Sequence, residues 1–155
     1  LASDGADDVE LFISTNVGEE AKSLAKIASG GELARIMLSI KNVLADRDAV
    51  GTLIFDEVDT GVSGRAAQKI GQKLAQVAVQ RQVIVVTHLA QVAAFAQTHL
   101  LIAKTARDNR TFTSITPLDE DARTRELARI IGGEPVSEIA LQHAHEMLES
   151  AKNAR

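Results

Sequence analysis

Asp56 and Glu57 stand side by side at the end of the apolar run Thr52, Leu53, Ile54, Phe55, and Asp59 follows after a single Val58. Neighbouring carboxylates repel each other and lose solvation beside a core, so such a placement needs a cation, a proton or open solvent. Two readings compete. In one, these are solvated residues of a turn after a strand. In the other, Asp56 serves a Mg²⁺ ion through water, since Mg²⁺ keeps several waters and uses few carboxylates. Glu57, one residue on and pointing in a different direction, then takes a proton from an attacking water.

Three further positions have residue types suited to the same chemistry. Ser29, Gly30, Gly31 and Glu32 read either as a loop with a capped helix or as an anion site. In the second case the two residues without a Cβ let phosphate oxygens approach backbone N–H groups at the positive end of a helix, and the Ser29 hydroxyl adds a donor. His88 follows the run Val83 to Val86 and Thr87; it is a sheet-edge histidine or a donor to a terminal phosphate. Asp59 and Gly61 are candidates for supporting or subunit-contact roles, Gly61 alternatively as a turn residue. For His99, His143 and His145 the structural reading prevails; His143 and His145, two apart on a predicted helix, point to different sides and make no metal pair. The basic residues at 104, 107, 110, 123, 125 and 129 are intermixed with acidic ones at 108, 119, 120, 121 and 126 and read as a solvated surface.

The elements that position these residues follow from periodicity. A β-rich stretch from Val9 to Thr15 predicts a strand. Ser29 with Glu32 forms a capping-box pattern, and Leu33, Ile36, Met37, Ile40 and Leu44 continue at helical spacing, so a helix begins at Ser29 and stops near Asp46 to Asp48. Arg35, Ser39, Lys41 and Asn42 make its polar side. The run at Leu53 is expected to be a strand of a covered parallel sheet. Ser63 caps a second helix carrying Ala67, Ile70, Leu74 and Val77, and the Val83 run is the next strand. This βαβ unit brings Asp56, Glu57 and His88 to one edge, the side on which open α/β sheets bind ligands. A short helix over Leu89 to Ala96 precedes a hairpin, His99–Lys104 and Thr111–Pro117, turning at Ala106 to Asn109 and expected on the edge of the sheet. Helices over Asp119–Ile131 and Ser137–Asn153 complete an α/β domain with a mainly parallel sheet flanked by helices.

Composition sets the limits. The 155 residues are 45% hydrophobic and 25% charged, enough for one core, which only 3% aromatics leave to Ala, Val, Ile and Leu. A net charge of -4 argues against a uniformly basic nucleic-acid surface. Without cysteine there is no disulfide, thiolate metal site or thiol nucleophile, which fits a reducing, cytoplasmic setting. No apolar run reaches membrane-span length. Leu1 in place of Met, followed by Asp4, Gly5, Asp7 and Asp8, leads us to expect a segment of a longer protein.

Taken in this order, Ser-Gly-Gly-Glu opening a helix, an apolar strand with Asp-Glu, and a βαβ unit ending in Thr-His resemble the C-terminal lobe of an ABC-type ATPase head. Ser29 to Glu32 matches the signature motif, Leu53 to Glu57 the Walker B strand and His88 the switch histidine. The wording of Ala28–Lys41, Phe55–Gly64, Thr87–Ala93, Thr98–Ile102 and Glu126–Gly133 is similar to the SMC-like branch, in particular its bacterial DNA repair members. The sequence departs from the family at Ala90, where Pro is common, and at Ser63, where other branches carry Asp in the D-loop. The resemblance implies ATP hydrolysis with Mg²⁺, coupled to DNA double-strand break repair and recombination. It implies catalytic roles for Glu57 and His88, and a head-to-tail dimer in which Ser29, Gly30, Gly31 and Glu32, with Asp59, meet ATP held by a second copy of the head. Partners would be an N-terminal Walker A lobe, that second head, and DNA through the whole protein. No G-x-x-x-x-G-K-[ST] stretch occurs in the 155 residues, so by themselves they are expected to be inactive. A transporter nucleotide-binding subunit and a non-catalytic module of the same fold are the rival readings.

Overall fold

The computed structural model of the chain describes residues 5–14, 17–26, 29–44, 49–107 and 110–154. In chain order these form β1 (Phe12–Ile13), β2 (Lys22–Ser23), α1 (Gly30–Val43), β3 (Thr52–Phe55), α2 (Gly64–Val77), β4 (Gln82–Val85), α3 (Ala90–Ala93), β5 (His99–Arg107), β6 (Arg110–Leu118), α4 (Glu120–Gly132) and α5 (Glu138–Asn153). The α/β class is as expected. Thr15, Ala28, Asp46 to Asp48, Asp108 and Asn109, on which some expectations fall, lie outside the described residues.

The centre is the βαβ unit. β3 and β4 run parallel, with Leu53 opposite Val83 and Phe55 opposite Val85, and Val86 N–H extends the ladder to the Phe55 carbonyl at 3.0 Å. The predicted stripe of α2 (Ala67, Ile70, Leu74, Val77) is wholly buried. It packs with Leu53, Phe55, Val58 and Leu38 of α1 into one apolar cluster. Strand alternation sends Ile54 and Ile84 to the opposite face. There Ile54 is 71% exposed and Ile84 and Val86 about half so, because no described element covers that face. The expectation of a strand buried on both sides is corrected accordingly.

Two more expectations change. The described strands form three two-stranded sheets, β1–β2 and β5–β6 antiparallel and β3–β4 parallel, rather than one mainly parallel sheet. The hairpin forms in the expected place, from His99 opposite Leu118 to Arg107 opposite Arg110, but it pairs only with itself and most of its residues are exposed. The reason lies in the turn before it. Arg123 of α4 donates to the carbonyls of Ala93, Ala94 and Ala96 (3.1, 2.8 and 2.6 Å), which ends α3 and brings the base of the hairpin beside α4. The predicted N-terminal strand shrinks to β1, paired with β2.

In α1 the start is as predicted but the docking face is not. Leu33, Met37 and Leu44 are exposed, while Gly31 and Leu38 are buried. Gly31, Arg35 and Leu38 share a face at i, i+4, i+7 spacing. The expected stripe is centred about 200° around the axis from this face, so Leu33, Met37 and Leu44 turn away from the core while Ile36 and Ile40 are half-buried. Arg35, placed on the polar side by sequence, is on the docked side.

α3, α4 and α5 build a second cluster from Ala90, Ala93, Phe95, Leu127, Ala128, Ala144 and Leu148, among others. Small residues allow close approach: a methyl on Gly71 of α2 would collide with the Phe95 ring. Asp119 and Ser137 cap α4 and α5, accepting from Ala122 N–H at 2.8 Å and Ala140 N–H at 3.2 Å. Ser63 occupies the cap position of α2, but its hydroxyl accepts no bond there, contrary to expectation. Among the described residues no helix is long and apolar enough to cross a membrane.

Candidate nucleotide site

The site is assembled where two helix-entry turns meet the end of β3. Ser29 is extended at the N-cap of α1 and its Oγ accepts from the Glu32 N–H at 3.5 Å. Asp56 and Glu57 leave β3 exposed to solvent. The chain then turns sharply: Glu57 has φ 58°, a left-handed conformation costing about 1–2 kcal/mol for a residue with a Cβ. Thr60 N–H donates to the Glu57 carbonyl at 3.0 Å. From α1, Arg35 Nη1 donates to the carbonyls of Thr60 (2.8 Å) and Val58 (3.3 Å), so the strained turn is held by a charged donor. Gly61, φ 74°, completes it with the positive φ that glycine takes without penalty.

Both glycines of the Ser29 turn are used by this contact. A Cβ on Gly31 would stand 3.0 Å from the Glu57 carbonyl oxygen and from Arg35 Nη1, and 3.1 Å from the Thr60 oxygen; one on Gly30 would stand 2.9 Å from Glu57 Oε2. The open side of Gly31 is therefore filled by the protein's own turn rather than by a ligand. Gly30 is exposed and Ser29 half-buried at the surface. Glu32 is exposed beside them.

Asp59 faces inward, 1% exposed, instead of toward a nucleotide. A buried carboxylate needs compensating donors, and Asp59 Oδ2 has them. It accepts from Thr87 Oγ1 at 2.5 Å and from the His88 N–H at 3.2 Å, with His88 Nδ1 at 3.5 Å. Thr87 Oγ1 in turn accepts from the Leu89 N–H at 3.1 Å. The His88 side chain is 72% exposed. Asp56, Glu57 and His88 thus emerge at one edge of the β3–β4 pair, as the topology predicted.

The donor set limits any metal. Among the described residues no group of three His, Cys, Asp or Glu is gathered to hold an ion. Asp56 is exposed and makes no hydrogen bond or ion pair among the described residues, so it offers one free carboxylate. That fits Mg²⁺ held mostly by phosphate and water, not a cage of protein ligands. The site residues that sequence reasoning passed over are Arg35 and Thr87. Arg35 follows Gly31 by four positions, a spacing that puts both on one helix face. Thr87 was visible only as the neighbour of His88.

The chain is similar along nearly its whole length to bacterial proteins called DNA repair protein RecN. It is 48% identical to that of Bacillus subtilis over 155 residues, 49% identical to that of Streptomyces coelicolor over 151 and 44% identical to that of Haemophilus influenzae over 149. It covers 27%, 26% and 27% of those proteins respectively, at their C-terminal end, so it spans about a quarter of the relatives it matches. No protein-family model matches. A chain solved in work on ATP-driven dimerization and DNA-stimulated activation of SMC ATPases superposes with a TM-score of 0.54 at 19% identity, over 84% of this chain and 78% of that one, a likeness of fold.

Proposed function

We propose that these residues are the C-terminal lobe of an SMC-like DNA repair ATPase and supply half of each of two composite ATP sites. The observation that carries this reading is the shared exit of Asp56, Glu57, Thr87 and His88 from one edge of the parallel pair, with the Ser29–Gly30 turn against Glu57. The similarity to RecN supports it.

In this reading Asp56 serves Mg²⁺ through water; the ion would neutralise charge on the phosphates. Glu57 accepts the proton of the attacking water. His88 donates a hydrogen bond to the terminal phosphate. Ser29, Gly30 and Glu32 meet the ATP of a second head, so hydrolysis requires head-to-tail dimerisation and a Walker A lobe. The exposed apolar stripe of α1 and the bare face of β3–β4 are the surfaces such partners would cover. DNA is engaged by the whole protein in double-strand break repair and recombination, in the cytoplasm at the nucleoid.

The test is steady-state ATPase. In the full-length protein Glu57→Gln lowers turnover about 10²- to 10⁴-fold; wild-type turnover in that variant would sink the role of Glu57. The 155 residues alone show no turnover, and activity from them that Glu57→Gln abolishes would overturn the composite site.

A further inference from the structure

The nucleotide reading gives Asp59 either a supporting role or a contact with ATP, and its buried surroundings give the support a definite target. It is the only charged residue buried to 1% among the described residues, and its bonding oxygen, Oδ2, meets nothing but the segment that carries His88. The Thr87 hydroxyl, the His88 N–H and His88 Nδ1 converge on that atom at 2.5, 3.2 and 3.5 Å. The Leu89 N–H closes the loop on Thr87 Oγ1. With Nδ1 facing Asp59, the other ring nitrogen, Nε2, lies on the far side of an imidazole that is otherwise open to solvent. Asp59 is two residues after Glu57 and rides on the same strained turn.

We propose that Asp59, with Thr87 as relay, is a positioning residue that locks the His88 loop and ring to the Glu57 turn, so that the acceptor of the water's proton and the donor to the phosphate keep one relative geometry. This deepens the ATP-site reading and rests on it. A movement of the Glu57 turn is carried to His88 through one carboxylate. Misplacing a reacting group by about 1 Å can cost about 10²-fold in rate with little change in ground-state binding.

The test uses the full-length protein labelled at histidine Cε1, with the His88 signal identified by its loss in His88→Gln, and the ATPase measured in parallel. Thr87→Val and Asp59→Asn are expected to shift the His88 signal and to lower kcat about 10- to 100-fold, with KM for ATP changed less than about twofold. Thr87→Ser, which keeps the hydroxyl, restores both. An unmoved His88 signal, a moved signal with wild-type kcat, or failure of Thr87→Ser to restore either readout would each overturn the inference. Thr87 variants stay informative should a buried Asp59 substitution prevent folding. His88→Ala with wild-type turnover is a different failure, that of the ATP-site reading itself.

Discussion

The two halves of the molecule are built to different degrees of completion. Around α3, α4 and α5 the core closes on itself: Leu127, Ala128 and Ala144 are fully buried, caps are made at both long helices, and no candidate catalytic residue lies there. Around β3 and β4 the core is one-sided. Leu53 and Phe55 are packed, yet Ile54 on the same strand is 71% exposed and Leu33 and Met37 of α1 face solvent. The chemistry-bearing residues all belong to this half, and it also contains the strained Glu57. The contrast teaches that the helical half stabilises a platform, while the half with the site is arranged to be finished by something else.

Substitutions can break or sharpen that contrast. The largest effect is expected at Leu127: Leu127→Ala removes a wholly buried side chain and should cost about 2–5 kcal/mol in urea titration of the 155-residue chain. A loss below 1 kcal/mol would mean that the helical core is not closed. Next is Arg123→Ala, which strips three carbonyls of a charged donor and should cost about 2–3 kcal/mol; an unchanged urea midpoint would remove Arg123 from the fold's support.

A pH effect should follow from the same half. The pKa of His99 lies below its usual 6.5 because burial disfavours its charge and Arg123 adds repulsion, with Glu126 opposing. Its folded form binds the proton more weakly than the unfolded chain. Its contribution is therefore intact above about pH 6.5 and lost as pH falls through 6.5 toward the lower folded value. Thermal melts across pH 5–8 should show this acid-side loss, and His99→Phe should flatten it; an unaltered profile would exclude His99 as its source. The smallest effect is reserved for the sheet half. Ile54→Ala should change the stability of the 155 residues by less than about 0.5 kcal/mol, and a cost matching Leu127→Ala would show that the face is covered in solution and dissolve the comparison.

What could be read from the sequence divides along the same line. The stripe Ala67–Ile70–Leu74–Val77 fell where periodicity put it, because the helix meets a core that its own spacing describes. Asp56, Glu57 and His88 converge because parallel pairing leaves little freedom at strand ends. The failures have a common cause in tertiary docking. α1 turned its Gly31–Arg35–Leu38 face inward, since close approach to the Glu57 turn outweighed burial of Leu33 and Met37. Asp59 read as either a supporting residue or a ligand contact, and its inward turn toward Thr87, 28 residues away, could not be seen in local spacing. Arg123 read as one solvated base among several, and no local pattern says that a guanidinium will end a helix in another part of the chain.

That same Arg123 has a consequence for how the chain could be rebuilt. Its carbonyl partners at 93, 94 and 96 come just before the hairpin, and Arg123 itself comes just after it. The two feet of the excursion are therefore tied by a bond that belongs to neither strand. Loop length enters closure free energy only logarithmically, about 0.6 kcal/mol per doubling. Residues 99–118 thus behave as an exchangeable cassette, which could be shortened to a turn or replaced by a graft while the helical platform beneath keeps its shape.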